Sequence, residues 1–321
     1  MKIGRILIAA AIAVVFLMTR TSASTSGADT VYHIHEGKND NIWENYDKWG
    51  DDKLNYGIFD RPMIEVFWGS AKETIHPNAF KENFLDNGNI ELRLGESSKR
   101  RMVRSPGKTH NIIKQKDSYI FLGNIKSSYS PTKQSKEHLL ETSSWRLGIG
   151  ATSGLGYKMG DAADIVLYHT SALVWTKTDF LDKPNPNGLS VNDYQKDWDV
   201  INTIGNQIRF GTLFEGGVKF QFADFIGVKL GYERSVVFPR HMFWYWVESE
   251  IVEGIGQGLI DQFTDPFVRM SPSAAPIVTF LLKNGLSYAM YELRNKHMNW
   301  PVNTIAPFAI ESFKIGVNFT F

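Results

Sequence analysis

Apolar residues fall at every second position in eight separate runs of this chain. The runs are Pro62–Gly69, Asn89–Gly95, Ser118–Lys126, Ser144–Tyr157, Ala163–Thr176, Gln207–Phe222, Ile226–Phe238 and Ile310–Phe321. A period of two is the signature of a strand with chemically different faces. The contrast is cleanest in the second half. Trp145, Leu147, Ile149 and Ala151 face one way, and Arg146, Gly148, Gly150 and Thr152 the other. Ile208, Phe210, Thr212, Phe214, Val218, Phe220 and Phe222 lie opposite Arg209, Glu215, Lys219 and Gln221. Ile226, Val228, Leu230 and Tyr232 likewise oppose Lys229, Gly231 and Glu233.

Several runs exceed the five or six residues usual for soluble sheets. They match the roughly 9 to 11 residues that a tilted strand needs to cross a bilayer. The last run keeps its period to the final residue. Phe313, Ile315, Val317, Phe319 and Phe321 share one face, with Lys314, Gly316, Asn318 and Thr320 on the other. The fold class expected is mainly β: an antiparallel, up-and-down membrane β-barrel of about eight strands. The apolar face would meet lipid and the polar face the lumen.

Loop lengths provide an independent check. If the closing strand ends on the periplasmic side, the connections alternate between periplasm and exterior going backwards. Residues 239–309 would then be external, 223–225 periplasmic, 177–206 external, 158–162 periplasmic and 127–143 external. Each external connection is long and each periplasmic one short, the asymmetry of outer-membrane barrels. The connection 96–117 breaks the rule, being long where a short turn is required. The basic stretch Ser98–Arg104 falls inside it and reads as a loop.

The connection 239–309 is itself too apolar to be a loose loop. Ile251, Ile255, Leu259 and Phe263 recur at helical spacing, although Gly254, Gly256 and Gly258 weaken the helix. A second helix is expected from about Pro276 through Leu293, since proline is favoured in a first turn. The insertion, placed before the last strand, would serve as a lid, a surface element or a docking surface. At the other end, Lys2 and Arg5 precede an apolar run, Ile6 to Met18, and then mostly small residues. This is the order of a secretory signal peptide, over 1–28, with Thr21-Ser-Ala23 and Ser26-Gly-Ala28 as acceptable cleavage sites. Residues 29–61 read as an irregular N-terminal arm and 62–321 as the barrel.

Composition narrows the function. The net charge is +1, with 35 basic and 34 acidic side chains and no long basic run, which argues against a nucleic-acid partner. There is no cysteine, so neither disulfides nor acylation at a cleavage-site cysteine is available. Aromatic residues make up 13% of the chain, and Phe243-Trp-Tyr-Trp246 suits a membrane interface.

Few residues suggest chemistry. His33 and His35, with Glu36 and Asp40 nearby, lack the three or four ligands of a stable metal site, so no metal is assigned. Gly150–Gly156 lacks the lysine of a phosphate loop, and no cofactor is expected. Arg240, His241, Trp244, Trp246, Glu292, Arg294 and His297 place ionisable and aromatic groups along the helical insertion. They are the candidate ligand-binding residues, with salt bridges that fix the helices as the simpler reading. His169 and Ser171 project to one face of a strand, with Ile165, Leu167, Leu173 and Trp175 around them. A histidine beside a serine can activate its hydroxyl as a nucleophile when a third group orients the ring. This pair resembles the His-x-Ser of the lipid A deacylases, eight-stranded outer-membrane enzymes, which implies His169 and Ser171 as catalytic residues. That family has Asn after the serine, where this chain has Ala172. It also has a Glu a short way downstream, where this chain has Asp179 and Asp182 and no Glu before Glu215.

In its broad pattern the chain resembles bacterial outer-membrane barrel proteins. An eight-stranded barrel has an interior filled by side chains or just wide enough for one small ligand, so bulk transport is not expected. The expected function is a non-catalytic envelope protein of the outer membrane. It would bind a lipid or other apolar ligand, or serve a structural or assembly role. Outer-membrane lipid and, through the C-terminal strand, the barrel-assembly machinery are the expected partners. An outer-membrane acyl-ester hydrolase and a soluble periplasmic β-rich binding protein are the alternatives.

Overall fold

The computed structural model describes residues 61–321 apart from 76–79, 81–82, 106–107, 132–138, 161–162, 183–189, 224, 241–242, 297–299 and 302–305. The expected signal peptide, the His33/His35 pair and the N-terminal arm lie outside the described residues, except Arg61, which belongs to the first strand and not to the arm.

Eight antiparallel strands close into one barrel. They are β1 (Arg61–Ile75), β2 (Asn87–Ser105), β3 (Lys108–Lys126), β4 (Thr142–Met159), β5 (Ala163–Phe180), β6 (Ile208–Phe222), β7 (Ile226–Val237) and β8 (Phe308–Thr320). Each pairs with its sequence neighbours, and β8 closes on β1 from Met63 opposite Thr320 to Ile75 opposite Phe308. All eight runs read from the period of two are barrel strands. The exception to the loop rule is also resolved. β2 runs on to Ser105 and β3 begins at Lys108, so the connection is a short turn. The basic stretch Ser98–Arg104 is therefore strand, not loop. Its alternation is lost because Ser98, Lys99, Arg100 and Arg101 are polar in succession. With this correction every short turn lies at one end of the barrel and every long connection at the other.

The two faces have opposite chemistry. Outward, Ile64, Val66 and Trp68 on β1, Ile90, Leu92 and Leu94 on β2, and Ile120 and Leu122 on β3 stand exposed. Trp145 and Leu147 on β4 and Phe313, Ile315, Val317 and Phe319 on β8 continue this apolar belt. Inward, Glu65, Glu91, Arg93, Asp117, Arg146, Glu215, Lys229, Glu233 and Lys314 are buried. Arg93 is 2.5 Å from Glu215 and 2.6 Å from Glu91, and Lys314 is 2.5 Å from Glu233 and 2.7 Å from Glu215. Arg146 pairs with Glu233 at 2.6 Å and Lys229 with Glu65 at 2.5 Å. The Arg93 guanidinium also lies 4.3 Å from the centroid of the Phe67 ring and 4.6 Å from that of Tyr119. Lumen glycines make room for these rings: a Cβ on Gly150 would fall 2.6 Å from Tyr119, and one on Gly316 2.4 Å from Phe67. The interior is packed, as a barrel of this size requires.

Above the ionic layer, at the end with the long connections, an apolar cap closes the mouth. Phe80, Phe84, Ile125, Leu140 and Phe308 pack there with Ile201 and Ile204 of helix α1 (Val191–Ile204). The Phe84 ring lies 5.3 Å from that of Phe80 and 5.8 Å from that of Phe308. The insertion before β8 forms two helices, α2 (Phe243–Met270) and α3 (Ala275–Lys296). The helix runs through its glycines, and Gly256 faces Leu286 so closely that a Cβ would sit 2.7 Å away. Among the described residues no helix is long and apolar enough to cross a membrane on its own.

Candidate functional site

His169 and Ser171 lie on the outward face of β5, not in the lumen. Tyr168 and Thr170, between and beside them, point inward. Ser171 is exposed, whereas His169 is buried because α3 lies over it. Helix α3 presents Asn284, whose Oδ1 is 3.1 Å from His169 Nδ1. The amide orientation is set by its own helix, since Asn284 Nδ2 donates to the Phe280 carbonyl at 2.9 Å. Oδ1 is therefore the group that meets the ring, and Nδ1 carries the proton. That tautomer leaves the Nε2 lone pair toward the Ser171 hydroxyl, 3.1 Å away. Serine, histidine and an orienting amide are thus in sequence, the order of a nucleophile, base and orienter. Asn284 orients the ring but brings no negative charge to stabilise an imidazolium.

The surroundings limit what this trio can do. Along the outward face of β5, Ile165 and Leu167 lie on one side and Leu173 and Trp175 on the other, so the trio sits midway in the apolar belt. Ester groups and bulk water lie toward the edges of such a belt. Beside His169 a cavity of about 40 Å³ is lined by Leu155, Leu167, Asp261, Thr264 and Lys283. Small-molecule sites run to roughly 300 Å³ or more, so this one has room for a few waters only.

The other candidate carboxylates cannot serve His169. Glu215 faces the lumen, bonded to Arg93 and to the Tyr168 hydroxyl at 2.7 Å. Asp179 pairs with Lys177 near the end of β5. Asp182 accepts from the Glu141 backbone amide at 3.3 Å.

Among the described residues, the candidate ligand-binding side chains are spread over several separate contacts. Arg294 bridges the helices, 2.7 Å from Glu253 and 3.1 Å from Glu250. Glu292 reaches instead to Arg234 on β7 at 3.0 Å, tying α3 to the barrel. Trp246 is buried edge-on against Phe210 at 4.9 Å, while Trp244 is exposed. Arg240 is exposed at the start of the insertion, and His241 and His297 lie outside the described residues. Sequence reasoning missed Asn284, which no spacing relates to a histidine on another element. It also missed the inward cluster Glu91, Glu215 and Glu233, whose oxygens lie near enough together for a metal. The Lys314 ammonium contacts all three, and with Arg93 and Arg146 it balances their charge.

An apolar exterior around a charged, packed lumen inverts the soluble pattern and defines a membrane-spanning β-barrel of eight strands. No family model and no curated protein matches the sequence. Among solved structures the chain is similar to Neisserial surface protein A, at 9% identity and TM-score 0.36, over 81% of this chain and 97% of that one. It is also similar to Ail, the attachment invasion locus protein of Yersinia pestis, at 7% identity and TM-score 0.25, over 82% and 99%. A third is the translocator domain of the autotransporter NalP from Neisseria meningitidis, at 8% and 0.23, over 60% and 57%. These scores describe a distant likeness of form, and the class rests on the chain's own face pattern.

Proposed function

We propose that this protein is a non-conducting, non-catalytic barrel of the bacterial outer membrane that works through its lipid-facing exterior. The observation that carries the reading is the inverted face pattern: Trp68, Leu92, Ile120, Leu147 and Phe313 outside, and Glu91, Arg93, Glu215 and Lys314 sealed within. A lumen so filled offers no path for a solute, so lipid or an apolar partner must be met at the outer wall. Membrane fractionation tests this. Retention in the outer membrane after carbonate washing, with a folded form that migrates faster until heated, supports the reading. Release by carbonate would overturn it in favour of a soluble periplasmic β protein.

One observation favours a second reading. Ser171 Oγ, His169 Nε2, His169 Nδ1 and Asn284 Oδ1 form a chain with both contacts at 3.1 Å, the connectivity of an acyl-ester hydrolase. The mid-belt depth and the small cavity weigh against it. Loss of envelope-lipid deacylation on Ser171→Ala would establish the enzyme. Equal acyl release by wild type and variant would remove it.

A further inference from the structure

The α2–α3 hairpin runs the full height of the barrel along its outer wall. Its root joins the end of β7 at Val237 to the start of β8 at Phe308, at the end with the long connections. Its tip reaches the other end. There the Tyr157 hydroxyl, near the end of β4, donates to the Ser273 carbonyl at 2.6 Å. Leu155 packs nearby with Val268 and Ala275. At 1.5 Å per residue, 28 and 22 residues give helices of about 42 and 33 Å, against a hydrocarbon core of about 30 Å.

We propose that this hairpin spans the outer membrane beside the barrel, with its outer face in the acyl chains and its tip on the side of the short turns. The inference rests on the membrane reading above. Three observations carry it. The outer face is as exposed as the barrel's own belt: Ile255, Leu259 and Phe263 are each 60% exposed and Leu281 61%, beside 55% for Leu147 and 54% for Phe313. Several of the hairpin's polar groups are paired, as charges in a membrane must be, while Glu248, Gln262 and Asp265 of α2 stand exposed. Arg294 pairs with Glu250 and Glu253, Lys283 with Asp261 at 2.7 Å, and Gln257 donates to Ser287 at 3.0 Å. Finally, the seam against the wall is built as membrane helix contacts are, from a small residue and a buried polar pair. Gly216 lets Asn284 approach to where a Cβ would stand 2.4 Å from its Oδ1, and Asn284 bonds His169. A helix with these charges could not cross alone. Two helices that pair Arg294 with Glu250 and Glu253, and Lys283 with Asp261, against a barrel wall can.

The absence of cysteine allows a direct test in whole cells by single substitutions, each variant first shown to keep its heat-modifiable mobility. Asn192→Cys on α1 marks the outside, Ser273→Cys the tip, Leu259→Cys the hairpin face and Leu92→Cys the barrel belt. With a membrane-impermeant maleimide, Asn192→Cys is expected to react in intact cells and Ser273→Cys only after the outer membrane is opened. Leu259→Cys and Leu92→Cys are expected to react only with a lipid-soluble maleimide. Labelling of Ser273→Cys in intact cells would overturn the proposal. So would impermeant labelling of Leu259→Cys while Leu92→Cys stays protected, or disulfide-linked dimers through Leu259→Cys, which would give the face to a second copy. Impermeant labelling of Leu92→Cys would instead remove the membrane reading itself, and the proposal with it.

Discussion

His169 of β5 and Asn284 of α3, 115 positions apart, share a hydrogen bond of 3.1 Å across the seam between barrel wall and helix. The bond has two consequences. It fixes the tautomer of the ring, and it fastens the middle of α3 to the wall. Polar pairs of this kind in membranes are worth about 0.6 kcal/mol on average and up to roughly 1.7.

Asn284→Ala should therefore loosen the hairpin without unfolding the barrel. Limited proteolysis in detergent should cut between α2 and α3 sooner than in the wild type, while the mobility shift on heating stays unchanged. Equal protection of both proteins would mean that the root and tip contacts hold the hairpin unaided.

The lumen gives a larger effect. Lys314 contacts Glu91, Glu215 and Glu233, and each of the four side chains is almost fully buried. Lys314→Met keeps the volume but leaves the acids facing one another. Removing one partner of a buried ionic cluster costs about 3 to 5 kcal/mol. The temperature at which the compact band converts to the unfolded one should fall well below that of the wild type. A conversion temperature within a degree or two would show that Arg93 and Arg146 suffice for the three acids.

The readable and unreadable parts of this molecule differ for a physical reason. Where a strand separates lipid from a charged lumen, as at Lys314–Phe319, neighbouring residues must differ in chemistry, and the period of two is visible. Further along β2, Ser98, Lys99, Arg100 and Arg101 are polar in succession, so Ser98–Arg104 carries no period and reads as a loop. His169 and Ser171 were legible as a pair on one face beside Ile165 and Leu167, but that this face points outward is visible only in the barrel. Asn284 was not legible, because its role depends on which side of α3 meets the wall. The spacing of Ile277, Leu281 and Tyr288 marks α3 as a helix, but apolar neighbours on both sides hide its orientation.

Strand closure depends on a glycine. Gly316 of β8 stands where any side chain would meet Phe67 of β1, with a Cβ only 2.4 Å from that ring, and β8 with β1 forms the seam that closes the barrel. Arg93 lies over the Phe67 ring at 4.3 Å and Lys314 at 5.2 Å, so a shift of the ring would disturb both. Gly316→Val should cost at least the 1 to 3 kcal/mol typical of overpacking and lower the yield of the heat-modifiable form on refolding into detergent. Gly254→Val, on α2 with open space around it, should refold as the wild type does. Equal yields from both variants would show that the lumen accommodates the added volume.

Two seals in series close the interior, so removing one should not open it. The ionic layer of Arg93, Glu215 and Lys314 lies beneath the cap of Phe80, Phe84 and Phe308. In a planar bilayer the wild type should give no current steps. Phe84→Ala should remain silent as well, because the ionic layer beneath it is untouched. Its cost should appear in stability, about 3 to 5 kcal/mol for a large aromatic cut from a packed cluster. Steps from Phe84→Ala alone would make the aromatic cap the gate and the ion pairs the lining of a pore. Steps from the wild type would end the non-conducting reading.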